Sequence, residues 1–254
     1  MAKIIAISNQ KGGVGKTTTT YALGCGLKHR GYRVLLIDFD PQGNLTFCVG
    51  GDVKLNANIM DVLRGTVAVQ HAIQHTSVAD AICANILLSG AELEFMGTNR
   101  EYLLKSALKP ILDYYDYIII DTPPSLSILT INAFTAADSI IIPIHSDIFS
   151  LQGIAEIQET IESVKLRCNP NIKIEGILLT KFNKRTVFGR QVFETAELIA
   201  KTMGTCVFKT QIRPNIAISE AQASQMDLMQ YAPKSSVAAD YLQFTDEIIE
   251  RGMY

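Results

Sequence analysis

The chain has no tryptophan, only 7% aromatic and 19% charged residues, and no apolar run approaching the ~18 residues of a membrane span. No membrane-crossing helix is therefore expected. Its five cysteines, Cys25, Cys48, Cys83, Cys168 and Cys206, never form a Cys-x-x-Cys pair, and an odd number cannot all pair within one chain. That argues against a disulfide framework or a paired-thiolate cluster site, and predicts buried thiols in a reducing compartment. No basic and apolar leader precedes the first strand-like residues, so the expectation is a cytoplasmic protein. Linkers rich in Pro or Ser, low-complexity tracts and internal repeats are missing too, which predicts a single domain over residues 1–254.

An excess of one charge is likewise lacking, with 23 Lys and Arg against 25 Asp and Glu and a net charge of -2. The balance hides segregation. Residues 1–164 are net -5, residues 165–213 net +7 and residues 214–254 net -4. A basic block in an otherwise acidic chain is either a solvated helix face or an electrostatic footprint for a polyanion.

What is present is an α/β grammar. Lys3 to Ser8 is a short β-rich run, followed by a glycine-rich turn and a helix-like stretch to about His29, which Gly31 stops. Arg33 to Asp38 is a continuous apolar run of the kind buried on both faces of a parallel sheet. Further strands are expected at Tyr117 to Asp121, Ser139 to Ile144 and Lys173 to Thr180, separated by helix-length segments. The fold class is α/β, a doubly wound, mostly parallel sheet flanked by helices. Between residues 41 and 100 a helix is expected near Asn58 to Arg64 and a strand near Ile86 to Leu88, and Ser236 to Glu250 reads as a closing amphipathic helix.

Directly after the first strand comes Asn9-Gln10-Lys11-Gly12-Gly13-Val14-Gly15-Lys16-Thr17-Thr18. Strand, glycine-rich loop and helix start are the parts of a phosphate cradle. Glycines let backbone N–H groups converge on an anion, the helix start adds positive potential, Lys16 supplies a cation and Thr17 a hydroxyl for Mg²⁺. The strict G-x-x-x-x-G-K-[ST] pattern fails, because Gln10 stands at its first glycine and a second lysine, Lys11, opens the loop. In this respect Lys-Gly-Gly-Val-Gly-Lys-Thr-Thr resembles the deviant Walker A P-loop ATPases, the family of ParA, Soj and MinD. The resemblance implies that Lys11 reaches across a dimer interface to the partner's nucleotide.

Two strand ends carry acids where open α/β sheets gather ligands. Asp38 and Asp40 lie in Asp-Phe-Asp-Pro-Gln-Gly-Asn, and the resemblance implies that Asp40 orients the attacking water while Asp38 helps organise metal and loop. Asp121, in Ile-Ile-Ile-Asp-Thr-Pro-Pro-Ser, stands at the Walker B position that holds Mg²⁺. A carboxylate ending a buried apolar strand is costly unless a cation or hydrogen bonds meet it. Further on, Ile212-Arg213-Pro214-Asn215-Ile216-Ala217-Ile218-Ser219-Glu220-Ala221 resembles the family's adenine-lining segment and makes Asn215 the candidate base contact. Two departures stand out there: Arg213-Pro214 inverts the family's Pro-Arg order, and Ala217 replaces an arginine that contacts DNA in many members.

The family's members act on DNA, membranes, metal clusters or small molecules. A MinD-like membrane regulator needs a basic amphipathic C-terminus, whereas Thr245 to Tyr254 holds Asp246, Glu247 and Glu250 against Arg251 alone. A dethiobiotin-synthetase-like ligase leaves the switch segment and basic block without a role. The resemblance therefore implies an ATP- and Mg²⁺-dependent homodimer that binds DNA without sequence preference, with Lys181, Lys184, Arg185 and Arg190 as DNA contacts. It further implies a ParB-type centromere-binding partner that stimulates hydrolysis, and association with the nucleoid. The alternative is a MinD-like or other regulatory ATPase that does not act on DNA.

Overall fold

Strand residues that alternate in a sheet covered on both sides must join two different cores, and the chain does this throughout. The computed structural model describes residues 1–54, 56–145 and 154–252. Its elements are β1 (Lys3–Ile7), α1 (Lys16–His29), β2 (Val34–Asp38), α2 (Asn44–Val49), α3 (Ile59–Leu63), β3 (Ile73–His75), β4 (Asp80–Ile82), α4 (Ala91–Glu94) and α5 (Leu103–Leu108). The second half adds β5 (Tyr117–Asp121), α6 (Ile128–Ala136), β6 (Ser139–His145), α7 (Ile154–Arg167), β7 (Lys173–Thr180), α8 (Val187–Thr202), α9 (Ala217–Ala223), α10 (Leu228–Tyr231) and α11 (Ser236–Gly252).

Among the described residues the sheet has seven strands in the order β3-β4-β2-β5-β1-β6-β7. Every neighbouring pair is parallel except β3 with β4, which is antiparallel at the edge. The doubly wound, mostly parallel α/β fold is as the sequence predicts. Ile4, Ala6, Leu35, Ile37, Ile118 and Ile120 pack with α3, α5, α6, α7 and α8 on one face. Ile5, Ile7, Leu36, Ile119 and Ile141 pack with α1, α2, α9, α10 and α11 on the other.

The hydrophobic pattern misses the sheet edge. Ile86 to Leu88, expected as a strand, lies instead in a 3₁₀ turn from Ile86 to Gly90. The Asn85 side chain accepts the Leu87 N–H, and Ile86 and Leu87 are 64% and 51% exposed, so no neighbouring strand is there to reward an extended backbone. The edge hairpin is built from Ile-Gln-His and Asp-Ala-Ile, triplets too short and polar to announce strands, and β4 is held by pairing with β2. The cysteine reading needs a matching correction. Cys25, Cys48 and Cys83 are buried, but Cys168 is half-buried and Cys206 exposed; all five are free thiols.

Candidate functional site

Register brings the acids together. Asp38 pairs with Asp121 across β2 and β5, and Asp121 pairs with Ile7 across β5 and β1, so three strands end on one row. Counting by twos from Leu36 and Ile119 puts both carboxylates on the face that carries α1. The loop leaving β1 must therefore pass over them before α1 begins.

That loop is held by a few side chains. Asn9 Nδ2 donates to the Pro143 carbonyl at 2.8 Å and Asn9 Oδ1 accepts the Lys11 N–H at 3.0 Å. Gly13 and Gly15 have φ of 77° and 94°, a region that costs other residues steric strain, and Gly15 opens α1. Thr180, at the end of β7, donates its hydroxyl to the Val14 carbonyl at 2.8 Å and fixes the loop from beneath. Lys16 is 7% exposed and donates from Nζ to the Lys11 carbonyl at 3.0 Å. Burial pulls its pKa down, and Asp121 and Asp40 push back. An ammonium so poorly hydrated gains from any anion placed beside it.

The three acids have different environments. Asp121 is 0% exposed, and neither carboxylate oxygen has a hydrogen-bond partner. Burial raises its pKa well above the carboxylate range and Asp38 adds to this, while Thr17 and Lys16 favour the charged form without closing a normal bond. Asp38 is pushed up to about 6 by burial, partly offset by the Thr46 N–H and hydroxyl, both at 2.7 Å from Oδ2. Asp38 therefore anchors the start of α2. Asp40 accepts the Gln42 N–H at 3.0 Å and is the acid of this segment that lines the cleft above the loop.

That cleft has a volume of about 900 Å³, enough for a nucleotide. Lys16, Thr17, Thr18 and the loop glycines form its floor, and Ile212, Pro214, Ile216 and Val237 give it an apolar wall. Asn215 lies on this wall, but its Nδ2 donates to Ser236 Oγ at 2.9 Å and its Oδ1 accepts the Ala217 N–H at 2.9 Å. A base contact from Asn215 requires exchange of one of these bonds. Val14 is buried, 2% exposed, and is not among the residues that line the cleft; its carbonyl is taken by Thr180.

The residues also fit a magnesium ion. Among the described residues no group of three His, Cys, Asp or Glu could hold a metal by itself. An ion here would depend on the Thr17 hydroxyl, the orphaned Asp121 carboxylate, water and the phosphates of a ligand. Asp121→Asn tests this site. Ionisation of a carboxylate with a raised pKa costs stability as pH climbs above the usual carboxylate range, and an amide escapes that cost. The variant is expected to melt no lower than wild type without nucleotide, with a gain of about 2–4 °C at pH 8 for each kcal/mol relieved. The magnesium enhancement of ADP affinity should fall at least about tenfold. A nucleotide-free Tm well below wild type would assign Asp121 to the fold alone.

The basic residues separate. Lys181, with φ of 47°, lines the nucleotide-sized cleft, whereas Lys184 and Arg185 line a neighbouring cavity. Arg190 is exposed in the first turn of α8, which Thr186 caps by accepting the Gly189 N–H at 2.9 Å. Sequence reasoning missed Thr46, Thr180, Ser236 and Asn9. Each is a small polar residue at an element end, a signal shared with ordinary caps and turns.

Comparison with known proteins gives consistent neighbours. The family model described as "AAA domain" matches residues 2–174. The sporulation initiation inhibitor protein Soj of Bacillus subtilis is 43% identical over 256 residues, covering 99% of this chain and 100% of Soj. The chromosome partitioning protein ParA of Caulobacter vibrioides is 39% identical, covering 98% and 94%. A crystal structure described as cobyrinic acid a,c-diamide synthase from Mycobacterium smegmatis, with bound ADP and magnesium, superposes with a TM-score of 0.83 at 35% identity, covering 100% of this chain and 96% of that one.

Proposed function

The chain belongs to the Soj and ParA family of partitioning ATPases, and from that premise we propose that it is an ATP-driven switch that dimerises around nucleotide, binds DNA as the dimer and releases it after hydrolysis. The observation that supports the reading is one cleft of about 900 Å³ lined by Lys16, Thr17 and Asp40, with the orphaned Asp121 buried out of the lining but within electrostatic reach of Lys16 and Thr17. ATP places its phosphates in the loop and its base against the apolar wall. Magnesium supplies charge neutralisation of the phosphates when bound. The chain's own parts do the rest: loop amides and Lys16 hold the phosphates, Asp121 and Thr17 face the metal position, and Asp40 orients water.

DNA binding is supported by charge. Residues 181–193 contain Lys181, Lys184, Arg185 and Arg190 and no acid. A small-molecule synthase would use the same nucleotide cleft but gives these exposed cations no role. Among the described residues no helix is long and apolar enough to cross a membrane. Association with the nucleoid and a ParB-type centromere-binding stimulator complete the proposal. Ala217 forms the half-buried start of α9, so the DNA face here relies on the residues around Arg185.

Two experiments test the proposal. A duplex titrated at several salt concentrations in the presence of a slowly hydrolysed ATP analogue should bind without sequence preference. Arg185→Ala should then weaken binding to all sequences and flatten the plot of log affinity against log salt by about 0.9 per lost phosphate contact. Equal slopes would remove Arg185 from the DNA face. Lys11→Ala should reduce the dimer fraction in sedimentation with the same analogue, while monomeric ADP affinity stays within about threefold of wild type. A normal dimer fraction would make Lys11 an ordinary loop lysine.

A further inference from the structure

The first turn of α6 has no cap of its own. Ser127 has the extended backbone of a cap residue, with φ of -89° and ψ of 178°, yet its hydroxyl is buried and finds no hydrogen-bond partner. The acceptor comes from another element. Glu92 of α4 accepts the Ile128 N–H on Oε2 at 2.9 Å, across 36 residues of sequence. A carboxylate placed there meets one of the unsatisfied N–H groups that open a helix and gains from the positive end of its dipole.

The segment closed by this bond is the one that leaves Asp121. Residues 122–127 join β5 to α6 and include Pro123 and Pro124, which bring no backbone N–H, so the segment has little means of bonding to itself. Its inner end is tied to β1, where the Thr122 N–H and hydroxyl donate to the Ile7 carbonyl at 3.3 and 2.9 Å. Its outer end is tied through Ile128 to Glu92. Pro124, between the two ties, lines the nucleotide-sized cleft, and the Thr130 hydroxyl donates to the Ser125 carbonyl, so a shift of the first turn of α6 passes directly into the segment. Glu92 stands on a firm post: Ala91 is buried, and Glu94 accepts Nε and Nη2 of Arg64 at 2.6 and 2.8 Å. Further along α6, Asn132 accepts the Leu104 N–H at 3.1 Å and donates to the Arg100 carbonyl at 2.8 Å. Loss of Glu92 therefore frees the first turn and leaves the body of α6 in place.

We propose that Glu92 is a positioning residue for ATP hydrolysis, which by capping α6 fixes the segment between Asp121 and α6 against the nucleotide. Glu92 is not among the residues that line the cleft, so it acts through Ile128. Small displacements of groups around a reacting phosphate are costly to rate while the phosphate grip on the other side of the cleft, from the loop and Lys16, is left as it was. The assignment rests on the ATP-hydrolysing switch proposed above.

The test measures steady-state turnover, ADP affinity and amide hydrogen exchange over residues 122–130 in the full chain carrying Glu92→Ala or Glu92→Gln. Glu92→Ala should lower kcat by about tenfold, leave ADP affinity within about threefold of wild type and speed exchange in the ADP- and Mg²⁺-bound chain by about tenfold. Its Tm should fall by no more than about 4 °C, the scale of one lost cap, so folded proteins are compared. Glu92→Gln keeps an oxygen that accepts the Ile128 N–H and should hold kcat within about threefold of wild type. Wild-type kcat in Glu92→Ala overturns the proposal, because the cap then serves the fold alone, and wild-type exchange overturns it as well. A loss of ADP affinity as large as the loss of kcat would show a general disturbance of the cleft, and a Gln variant as slow as the Ala variant would show that charge, not the bond to Ile128, matters; either result overturns it. Should the wild-type chain hydrolyse no ATP, the switch reading fails, and exchange in the ADP-bound chain still decides Glu92: faster exchange in the Ala variant supports the tie and unchanged exchange overturns it.

Discussion

Lys16→Ala is expected to lower affinity for ATP and ADP by at least about a hundredfold, because two terms vanish together. The first is the charge-assisted contact with phosphate, worth about 1.5–3 kcal/mol for each bond. The second is the bond from Nζ to the Lys11 carbonyl, which closes the loop on itself before any ligand arrives. Burial has already stripped the ammonium of water and pulled its pKa down, so the cost of organising it is met in the folded chain. Removing the side chain also leaves Asp121 and Asp40 without the cation that offsets them. Calorimetric titration of both nucleotides checks the expectation, with Lys16→Gln as a companion that keeps a donor and most of the volume. Affinity within about threefold of wild type in both variants would show that backbone amides alone hold the phosphates.

Asp40→Ala carries the second large effect: turnover should fall by about a hundredfold or more while ATP affinity changes little, and dimers should accumulate with ATP. Asp40 faces the cleft from the β2 side, where it has no bond to the loop glycines that cradle the phosphates, so binding does not depend on it. Its other task is to accept the Gln42 N–H at 3.0 Å and hold the turn. Asp40→Asn separates the two roles, since the amide oxygen preserves that bond and loses only basicity and charge. Slow turnover in both variants supports water positioning. An active Asn variant beside an inactive Ala variant would assign Asp40 to holding the turn, and normal turnover in both would remove it from the reaction.

Most of the phosphate-binding half was legible before the fold, because glycines, lysines and strand-end acids have narrow reasons for standing where they do. Gly13 and Gly15 take positive φ, and Asp38 and Asp121 end buried strands. The base side was less legible. Asn215 reaches the cleft wall, but the partners that engage its amide, Ser236 and the Ala217 N–H, depend on where α11 and α9 pack. No local pattern announces that. The edge strands failed for a related reason: Asp-Ala-Ile becomes a strand only because β2 lies beside it, while the more β-prone Ile86 to Leu88 finds no partner.

By itself the sequence determined the βαβ opening, the doubly wound class and the chemical identity of the phosphate loop, since these follow from local period, backbone permissiveness and the residues that anions require. Tertiary structure alone decided what the side chains do for one another. Parallel register aligned Asp38 with Asp121, left Asp121 without a hydrogen-bond partner and gave Asp38 to Thr46. The tertiary arrangement of the chain after β7, tied by the Phe182 N–H to the Ile212 carbonyl, split one basic block between two cavities, with Lys181 in the first and Lys184 and Arg185 in the second. Burial, pairing and charge cancellation depend on distances between segments far apart in the chain, and only the fold sets those distances.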